Sequence, residues 1–185
     1  MKIHTKNQNG LTVIEVLIII AVIAVVAVVT VPGSTVVLEN FRLKSASSQL
    51  ADSLVLALDE AQSRGSTVRV CPSSNGRFCR SDGDWNHGWL VFTDGNGDGT
   101  VQEMELIKSF TGPGEHVRVA ATGAVQKAAS ITLAGLTPAN EAETGTFHIC
   151  HEGLNARAKV VTVDVDGTVQ VSRTQTGSGA CSRVF

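Results

Sequence analysis

The sequence predicts an α+β protein in which one long N-terminal helix packs on antiparallel β-sheets. Three observations support this fold class. The run Leu11–Val31 is apolar except for two threonines and one carboxylate. A helical repeat of apolar residues returns after Pro32, and eight short β-rich runs separated by Gly, Pro, Asp and Asn fill the rest of the chain.

Composition excludes several classes of protein. The 185 residues include 15 basic and 17 acidic side chains, for a net charge of −2, so nothing indicates the bulk basicity of nucleic-acid-binding domains. Hydrophobic residues make up 43% and charged residues 17%, which is too apolar for a disordered chain. The single apolar run also excludes a multi-span membrane protein and a purely cytosolic enzyme.

Residues 1–10 form a polar, cationic head that precedes the apolar run. Lys2 and Lys6 are its only charged side chains, and it ends at Gly10. A helix over Leu11–Val31 would rise about 31 Å, enough to cross a bilayer with the cationic head on the cytoplasmic side. A secretory signal has its small-residue cleavage site after a shorter apolar core, whereas Gly10 comes before it. We therefore expect a membrane-inserted segment that is retained.

Glu15 is the one carboxylate within the apolar run. A charged side chain in a membrane span is costly unless it is paired. Two interpretations follow from the residues alone. Glu15 either lies near the membrane interface, or it pairs with a cation from another chain.

The stretch from Gly10 to Glu15, followed by an apolar run, resembles the type III signal of type IV pilins and type II secretion pseudopilins. The resemblance implies that a prepilin peptidase cleaves after Gly10 and that the new N-terminus at Leu11 is methylated. It also implies that Glu15 pairs with the N-terminal amine of a neighbouring subunit, and that Pro32 falls where pilins commonly kink. Leu11 departs from the usual Phe. An ion pair of this kind is strong in a low dielectric, where an orphan charge is penalised.

The second part of the helix follows Pro32, over residues 33–65. Its apolar and small residues recur every three to four positions, at Phe41, Leu43, Ser47, Leu50, Leu54, Leu58 and Ala61. Arg64-Gly65 has the basic residue and glycine typical of a helix C-terminus. We therefore expect one helix from about Leu11 to Arg64, whose second half has one apolar face that a sheet must cover.

Residues 66–185 supply that sheet as a β-rich head. The predicted strands are Thr67–Cys71, Gly88–Thr93, Leu106–Phe110, His116–Ala120, Ala129–Leu133, Thr146–Cys150, Ala158–Asp164 and Thr168–Ser172. Asp166-Gly167 between the last two is typical of a hairpin turn. Short turns and the absence of βαβ alternation favour antiparallel pairing.

The run Trp85–Asp94 resembles the GspH/FimT family of minor pilins and pseudopilins, as do Cys150, a glycine turn, two strands and a late Cys181. The resemblance implies a pilin-like head whose sheets pack on the C-terminal half of the long helix. It also implies other pilins or pseudopilins, the prepilin peptidase, the assembly platform and the lipid bilayer as partners. The expected location is the bacterial inner membrane, single-pass with a periplasmic head, and then the filament tip.

The four cysteines predict two disulfides, because a head exported across the membrane meets an oxidising compartment. Three pairings of Cys71, Cys79, Cys150 and Cys181 exist. We favour the pairing of Cys71 with Cys79 and of Cys150 with Cys181, because these two disulfides do not cross each other along the chain. A zinc site is the alternative, but no C-x2-C spacing supports it.

An acidic loop follows the second predicted strand. Asp94, Asn96, Asp98, Gly99 and Glu105 match the calcium pattern D-x-[DN]-x-[DN]-G-x5-E. Alternating oxygen ligands converge on one cation while the glycine allows the sharp turn. The flanking runs look like strands rather than the helices of an EF-hand, so a solvated acidic turn is the alternative. Calcium is the only cofactor that the sequence suggests.

DNA binding is disfavoured. The basic Gly-Arg-x-Arg turn of DNA-binding FimT proteins corresponds here to 167–170, where both arginines are replaced, and Asp164 and Asp166 lie beside it. Arg173 and Arg183 could still form a small basic patch, but the near balance of charge after Cys150 predicts little nonspecific affinity.

The sequence predicts no enzyme. His148 and His151 lie three apart on a predicted strand and so face opposite ways. No nucleophile elbow or phosphate loop is present. Trp85, Trp89 and Phe92 are expected to be core residues.

We therefore expect a minor pilin of a type IV pilus that primes or joins assembly at the tip. A GspH-like pseudopilin of a type II secretion system is the first alternative, and a FimT-type DNA-binding minor pilin is the second.

Overall fold

The computed structural model describes residues 11–123, 125–126, 131–133, 144–151, 158–164 and 167–174, with the backbone alone described for 27–36. Gly10, Asp166, Cys181 and Arg183 lie outside these residues. The chain divides into two compact units, Met1–Glu39 and Asn40–Phe185, so the boundary falls inside the long helix.

The helix, α1, runs without a break over Val13–Arg64 and continues through Pro32. The Thr12 hydroxyl accepts a hydrogen bond from the Glu15 backbone N–H at 3.4 Å, as an N-cap residue does. At the other end Gly65 has φ +59°, a left-handed conformation that glycine adopts without strain. The predicted single helix and its glycine cap are therefore confirmed.

Within the described residues, eight strands form two four-stranded antiparallel sheets. The eight strands and their antiparallel pairing are those that the sequence predicts. The strands are β1 Val68–Pro72, β2 Gly88–Thr93, β3 Leu106–Thr111, β4 Val117–Thr122, β5 Ile131–Leu133, β6 Gly145–His151, β7 Ala158–Val163 and β8 Val169–Thr174. The first sheet has the order β3-β2-β1-β5 and the second the order β4-β6-β7-β8. Gly167, with φ +81°, lies in the turn that joins β7 to its antiparallel partner β8.

The core of the second unit lies between the helix and both sheets. Leu50 and Leu54 of α1 are fully buried, and they belong to one cluster with Val70 of the first sheet and Val161 of the second. Most of the apolar face predicted for residues 33–65 is therefore the face that the sheets cover. Burying it supplies most of the driving force for packing the helix on the head.

Phe41 was predicted to lie on this buried face, and that prediction is wrong. Its side chain is 65% exposed, whereas Leu43 is buried. The two positions lie about 200° apart around the helix, so they cannot both face the sheets.

Two tryptophans anchor this packing. The Trp89 indole N–H of β2 donates to the Ser53 hydroxyl of α1 at 2.8 Å, and that hydroxyl donates to the Leu50 carbonyl at 2.7 Å. Trp85 stacks edge-on against Phe147 with ring centroids 5.0 Å apart. Both tryptophans and Phe92 are fully buried, which confirms them as core residues.

We expect Ser53→Ala to lower the free energy of unfolding by about 1–2 kcal/mol, because it leaves the buried Trp89 N–H without an acceptor. Urea unfolding of a fragment beginning at Asn40, which holds this core, measures the loss. Ser48→Ala, at an exposed serine of the same helix, is the matched control and should change stability by less than about 0.5 kcal/mol. Equal stability of the two variants would contradict a structural role for the hydrogen bond.

Candidate functional site

The N-terminal turn of α1 presents Glu15 on an exposed apolar helix. Thr12 and Glu15 have the spacing of a capping box, which explains why the helix begins at Val13. A carboxylate in the first turn also interacts favourably with the helix dipole. Among the described residues, Glu15 has no ion-pair partner, so a cation for it must come from elsewhere.

Every residue from Leu11 to Val26 is exposed. Contiguous apolar surface of this kind marks a site that lipid or other helices cover. Over the residues whose side chains are described, no helix is both long enough and apolar enough to span a membrane. Gly10, the predicted cleavage position, lies outside the described residues, and Leu11 is exposed beside it.

The cysteines behave as predicted where the structure describes them. Cys71 and Cys79 form a disulfide that closes the loop after β1. Cys150 on β6 is also disulfide-bonded, while its predicted partner Cys181 lies outside the described residues. The first predicted pairing is confirmed, and the second stays a prediction.

The acidic loop, residues 94–105, begins with a buried carboxylate. Asp94 Oδ2 lies 2.6 Å from Arg69 Nε on β1, an ion pair without the alignment of a hydrogen bond, and the Asp94 side chain is fully buried. The Gly99 N–H donates to the same carboxylate at 3.2 Å. Arg69 therefore already neutralises the first of the predicted calcium ligands.

The rest of the loop is ordered by its own hydrogen bonds. Asp98 accepts from the Thr100 N–H and hydroxyl, both at 2.7 Å, and from the Asn96 amide at 2.8 Å. These bonds, with the one from the Thr100 backbone foremost, lower the pKa of Asp98. Glu105 accepts from the Gln102 N–H at 3.2 Å. Within the described chain, no group of three or more acidic, His or Cys side chains is placed to hold a metal.

A cleft of about 640 Å³ lies where the loops before β2 and β4 meet, and sequence reasoning missed it. Its lining includes His87, Glu115, His116 and Arg118. His87 Nδ1 lies 3.0 Å from Asp84, and His116 has φ +66°, unusual for a non-glycine residue. The two loops meet through tertiary contacts such as the hydrogen bond from the Gly112 N–H to the His87 carbonyl at 3.1 Å, which no spacing within the sequence reports.

Arg173, predicted as a weak DNA contact, lies exposed on β8 beside Lys159 of β7, its directly opposite residue. Partial burial and then the positive charges of Arg173 and Lys44 lower the pKa of Lys159. Lys44 of α1 thus belongs to the same cluster, which we call the cationic patch. Sequence analysis named only Arg173, because the strand register and the passage of the helix bring the other two to it.

Comparison with known proteins accounts for both parts of the chain. Residues 46–167 match the family described as type II transport protein GspH, and residues 5–31 match the prokaryotic N-terminal methylation motif. No curated protein sequence matches the chain.

Two solved structures are similar in fold. The type IV minor pilin FimU of Pseudomonas aeruginosa is 20% identical, with a TM-score of 0.53, over 74% of this chain and 96% of FimU. The minor pseudopilin EpsH of the Vibrio cholerae Type 2 Secretion System is 14% identical, with a TM-score of 0.50, over 71% of this chain and 97% of EpsH. Because the GspH match spans more than half of the chain and the methylation motif precedes it, this chain belongs to the GspH/FimT family of pilin-like proteins.

Proposed function

We propose that this chain is a minor pilin of a type IV pilus that is stored in the inner membrane and then joins the filament at or near its tip. The observation that carries the proposal is the methylation motif at residues 5–31, joined through one continuous helix to a GspH-type head. In this proposal a prepilin peptidase cleaves after Gly10 and methylates Leu11. The head lies in the periplasm until assembly.

The proposed mechanism of assembly uses the exposed apolar part of α1. Residues 11–26 are covered by lipid before assembly and by the helices of other pilins afterwards. Moving this apolar part of α1 from lipid to a bundle of helices does not by itself fix the axial register of one helix against its neighbour. The pairing of Glu15 with the N-terminal amine of a neighbour supplies the selection, because an unpaired charge is strongly disfavoured among apolar helices.

A second candidate is a minor pseudopilin of a type II secretion system. The observation that favours it is the family description, type II transport protein GspH, together with the likeness in fold to EpsH. Both candidates use the same cleavage, the same helix and the same Glu15 pair. The operon that encodes the chain discriminates them, because it holds either pilus genes or secretion genes.

We expect the chain, produced with a prepilin peptidase, to lose ten residues and to begin at a Leu11 carrying one methyl group. Intact-mass measurement of the purified protein shows both changes. Gly10→Asp should block cleavage because the family signal has a small residue there, while Asn9→Ala is the neighbouring control and should be processed. A mature chain that still begins at Met1 would rule out the proposed function.

We expect Glu15→Ala to be inserted and cleaved normally but to enter filaments at least about tenfold less well, the effect of losing about 1.4 kcal/mol of pairing. Immunoblots of sheared filaments against whole cells measure the ratio. Glu39→Ala removes another carboxylate of α1, outside the apolar run, and should incorporate as the parent does. Parental incorporation of Glu15→Ala would leave Glu15 without the proposed role.

Calcium binding by the acidic loop is a separate proposal. Its support is the hydrogen bond from Gly99, the sixth position of the motif, to the carboxylate of Asp94, the first position. This bond closes the loop around the motif positions. Arg69 competes with a cation for Asp94, so binding would be weaker than in a loop whose four side-chain ligands are all free.

The calcium proposal predicts that millimolar calcium raises the melting temperature of the fragment beginning at Asn40. Asp98→Ala should abolish this rise. Glu103→Ala changes an exposed carboxylate of the same loop that is not a motif ligand, so it should keep the rise. An unchanged melting temperature of the parent at millimolar calcium excludes the site.

A further inference from the structure

The cleft between the loops that precede β2 and β4 is held in shape by both sheets. The Asn86 side-chain oxygen accepts a hydrogen bond from the Val119 N–H of β4 at 2.8 Å, although Asn86 itself lies just before β2. A Cβ on Gly112 would lie 2.1 Å from the Asn86 carbonyl oxygen, so only glycine allows the two loops to approach so closely. Because β2 belongs to the first sheet and β4 to the second, the cleft is a fixed feature of the head.

The side chains around the cleft favour an anion. The charged and titratable residues that line it are His87, Glu115, His116 and Arg118. Three of these four side chains are cationic when the histidines are protonated, and one is anionic. Small-molecule pockets are mostly apolar, whereas this lining is polar and resembles the rim of a contact between proteins. An anionic group on a protein partner therefore complements it best.

Asp84 fixes the orientation of His87. The Asp84 carboxylate lies 3.0 Å from His87 Nδ1, and it accepts hydrogen bonds from the Asn86 N–H at 3.0 Å and from the Asn86 amide at 2.7 Å. Burial raises the pKa of Asp84, but these hydrogen bonds and the charges of His87 and Arg80 outweigh it and place the pKa below its usual value. The ionised carboxylate holds a proton on Nδ1, so Nε2 is the ring nitrogen left for a ligand.

Two histidines on the β4 side of the cleft have the features of a functional site. His116 has φ +66°, a conformation that costs energy in a residue other than glycine and that concentrates at binding sites. Its ring centroid lies 6.2 Å from that of His151, the last residue of β6. His151 is only 7% exposed, and its Nε2 has no hydrogen-bond partner within the described residues. Buried polar atoms are normally paired, so a ligand in the cleft would supply a partner that the head lacks.

We propose that this cleft binds the carboxylate of an aspartate or glutamate side chain on a different subunit of the filament. The contact rests on the proposed function, because only a chain that assembles meets such a neighbour. The carboxylate accepts charge-assisted hydrogen bonds from the protonated rings of His87 and His116 and from the guanidinium of Arg118. The ring of His151 supports that of His116 from behind.

The edge of the second sheet explains why the occupant is a side chain rather than an added strand. Within the described residues β4 is an edge strand, and an open edge is a template for a further strand. The Val119 N–H points away from β6, and the Asn86 side chain already occupies it. A partner strand would have to displace Asn86 to continue the ladder. A single side chain enters the cleft without disturbing this hydrogen bond.

A carboxylate fits the cleft better than a phosphate of DNA does. Glu115 lines the cleft and the ionised Asp84 lies beside it, so a chain of phosphates meets two carboxylates as well as the cations. A site with so few cations also releases few counterions, which supply most of the affinity for nucleic acid. One carboxylate needs only the donors that converge in the cleft.

A model carboxylate tests the site in the full-length chain held in detergent micelles at about pH 6, where imidazole is largely protonated. The probe is N-acetylglutamate methylamide, and the neutral match is N-acetylglutamine methylamide. We expect saturable shifts of the His87 and His116 ring signals in NMR spectra, with a dissociation constant at least about tenfold lower for the carboxylate. Equal affinities for the two probes, or no shift with either, would overturn the proposal.

Histidine variants locate the binding. His116→Asn removes the imidazole while keeping a residue that tolerates a positive φ, and His87→Asn removes a ring that is 57% exposed and not needed for packing. Each should weaken binding of the carboxylate probe at least about fivefold. Arg77→Asn removes an exposed cation outside the cleft and should bind as the parent does. Parental affinity in both histidine variants would contradict the assignment.

Photo-cross-linking in cells tests the source of the carboxylate. A benzoylphenylalanine replaces Glu115 of the full-length chain, which is produced together with the other subunits of its own filament. We expect one adduct with a different subunit. The adduct should disappear in His116→Asn and when the aspartate or glutamate of the cross-linked peptide is changed to its amide. The same photoprobe at Glu103, on another loop, is the control and should not give this adduct.

The remaining outcomes separate the contact from the proposed function. An adduct between two copies of this chain, or one that survives both substitutions, would overturn the contact with a different subunit. Binding of the carboxylate probe without any adduct would assign the cleft to a free carboxylate instead. Chains cleaved after Gly10 and present in filaments, but without the adduct, would refute the contact alone, whereas uncleaved chains would refute the proposed function.

Discussion

The apolar surface of α1 is the constraint on which the structure depends. From Leu43 to Ala61 one face of the helix is buried under two sheets, and this burial builds the head. From Leu11 to Val26 every side chain is exposed, so the same helix leaves surface that only lipid or other chains can cover. One element therefore builds the core of a domain and, in the proposed function, also supplies the surface that lipid and other pilins cover.

Periodicity made most of the fold predictable. The three-to-four spacing from Leu43 to Ala61 identified the buried face, although the prediction wrongly added Phe41 to it, and β-rich runs identified the eight strands of the described residues. Both signals record which side chains leave water. Gly65 marked the C-terminal end of the helix through local backbone chemistry that is legible in sequence. The Thr12 cap was not predicted, and the helix begins at Val13 rather than at about Leu11. Cys71 and Cys79 were paired correctly because this pairing closes a short loop and does not cross the second predicted disulfide.

Contacts set by register and by buried charge were not predictable. The carboxylate of Asp94 matches a metal ligand in sequence, yet Arg69, 25 residues earlier, lies on the adjoining strand and pairs with it. The patch of Lys44, Lys159 and Arg173 joins three elements distant in the chain, and only the β7–β8 register and the course of the helix bring them together. Spacing within a motif reports local geometry, whereas these groups meet through tertiary packing.

The proposed pairing of Glu15 implies two different neighbours for each subunit. A pair between Glu15 of one subunit and the amine of Leu11 of another spans four residues, or about 6 Å along the helix. The two members of a pair are therefore displaced along the helix, and each subunit offers its amine to one neighbour and its carboxylate to another. A contact between two different surfaces is heterologous, so it extends into a fibre when the rotation between subunits does not close a ring.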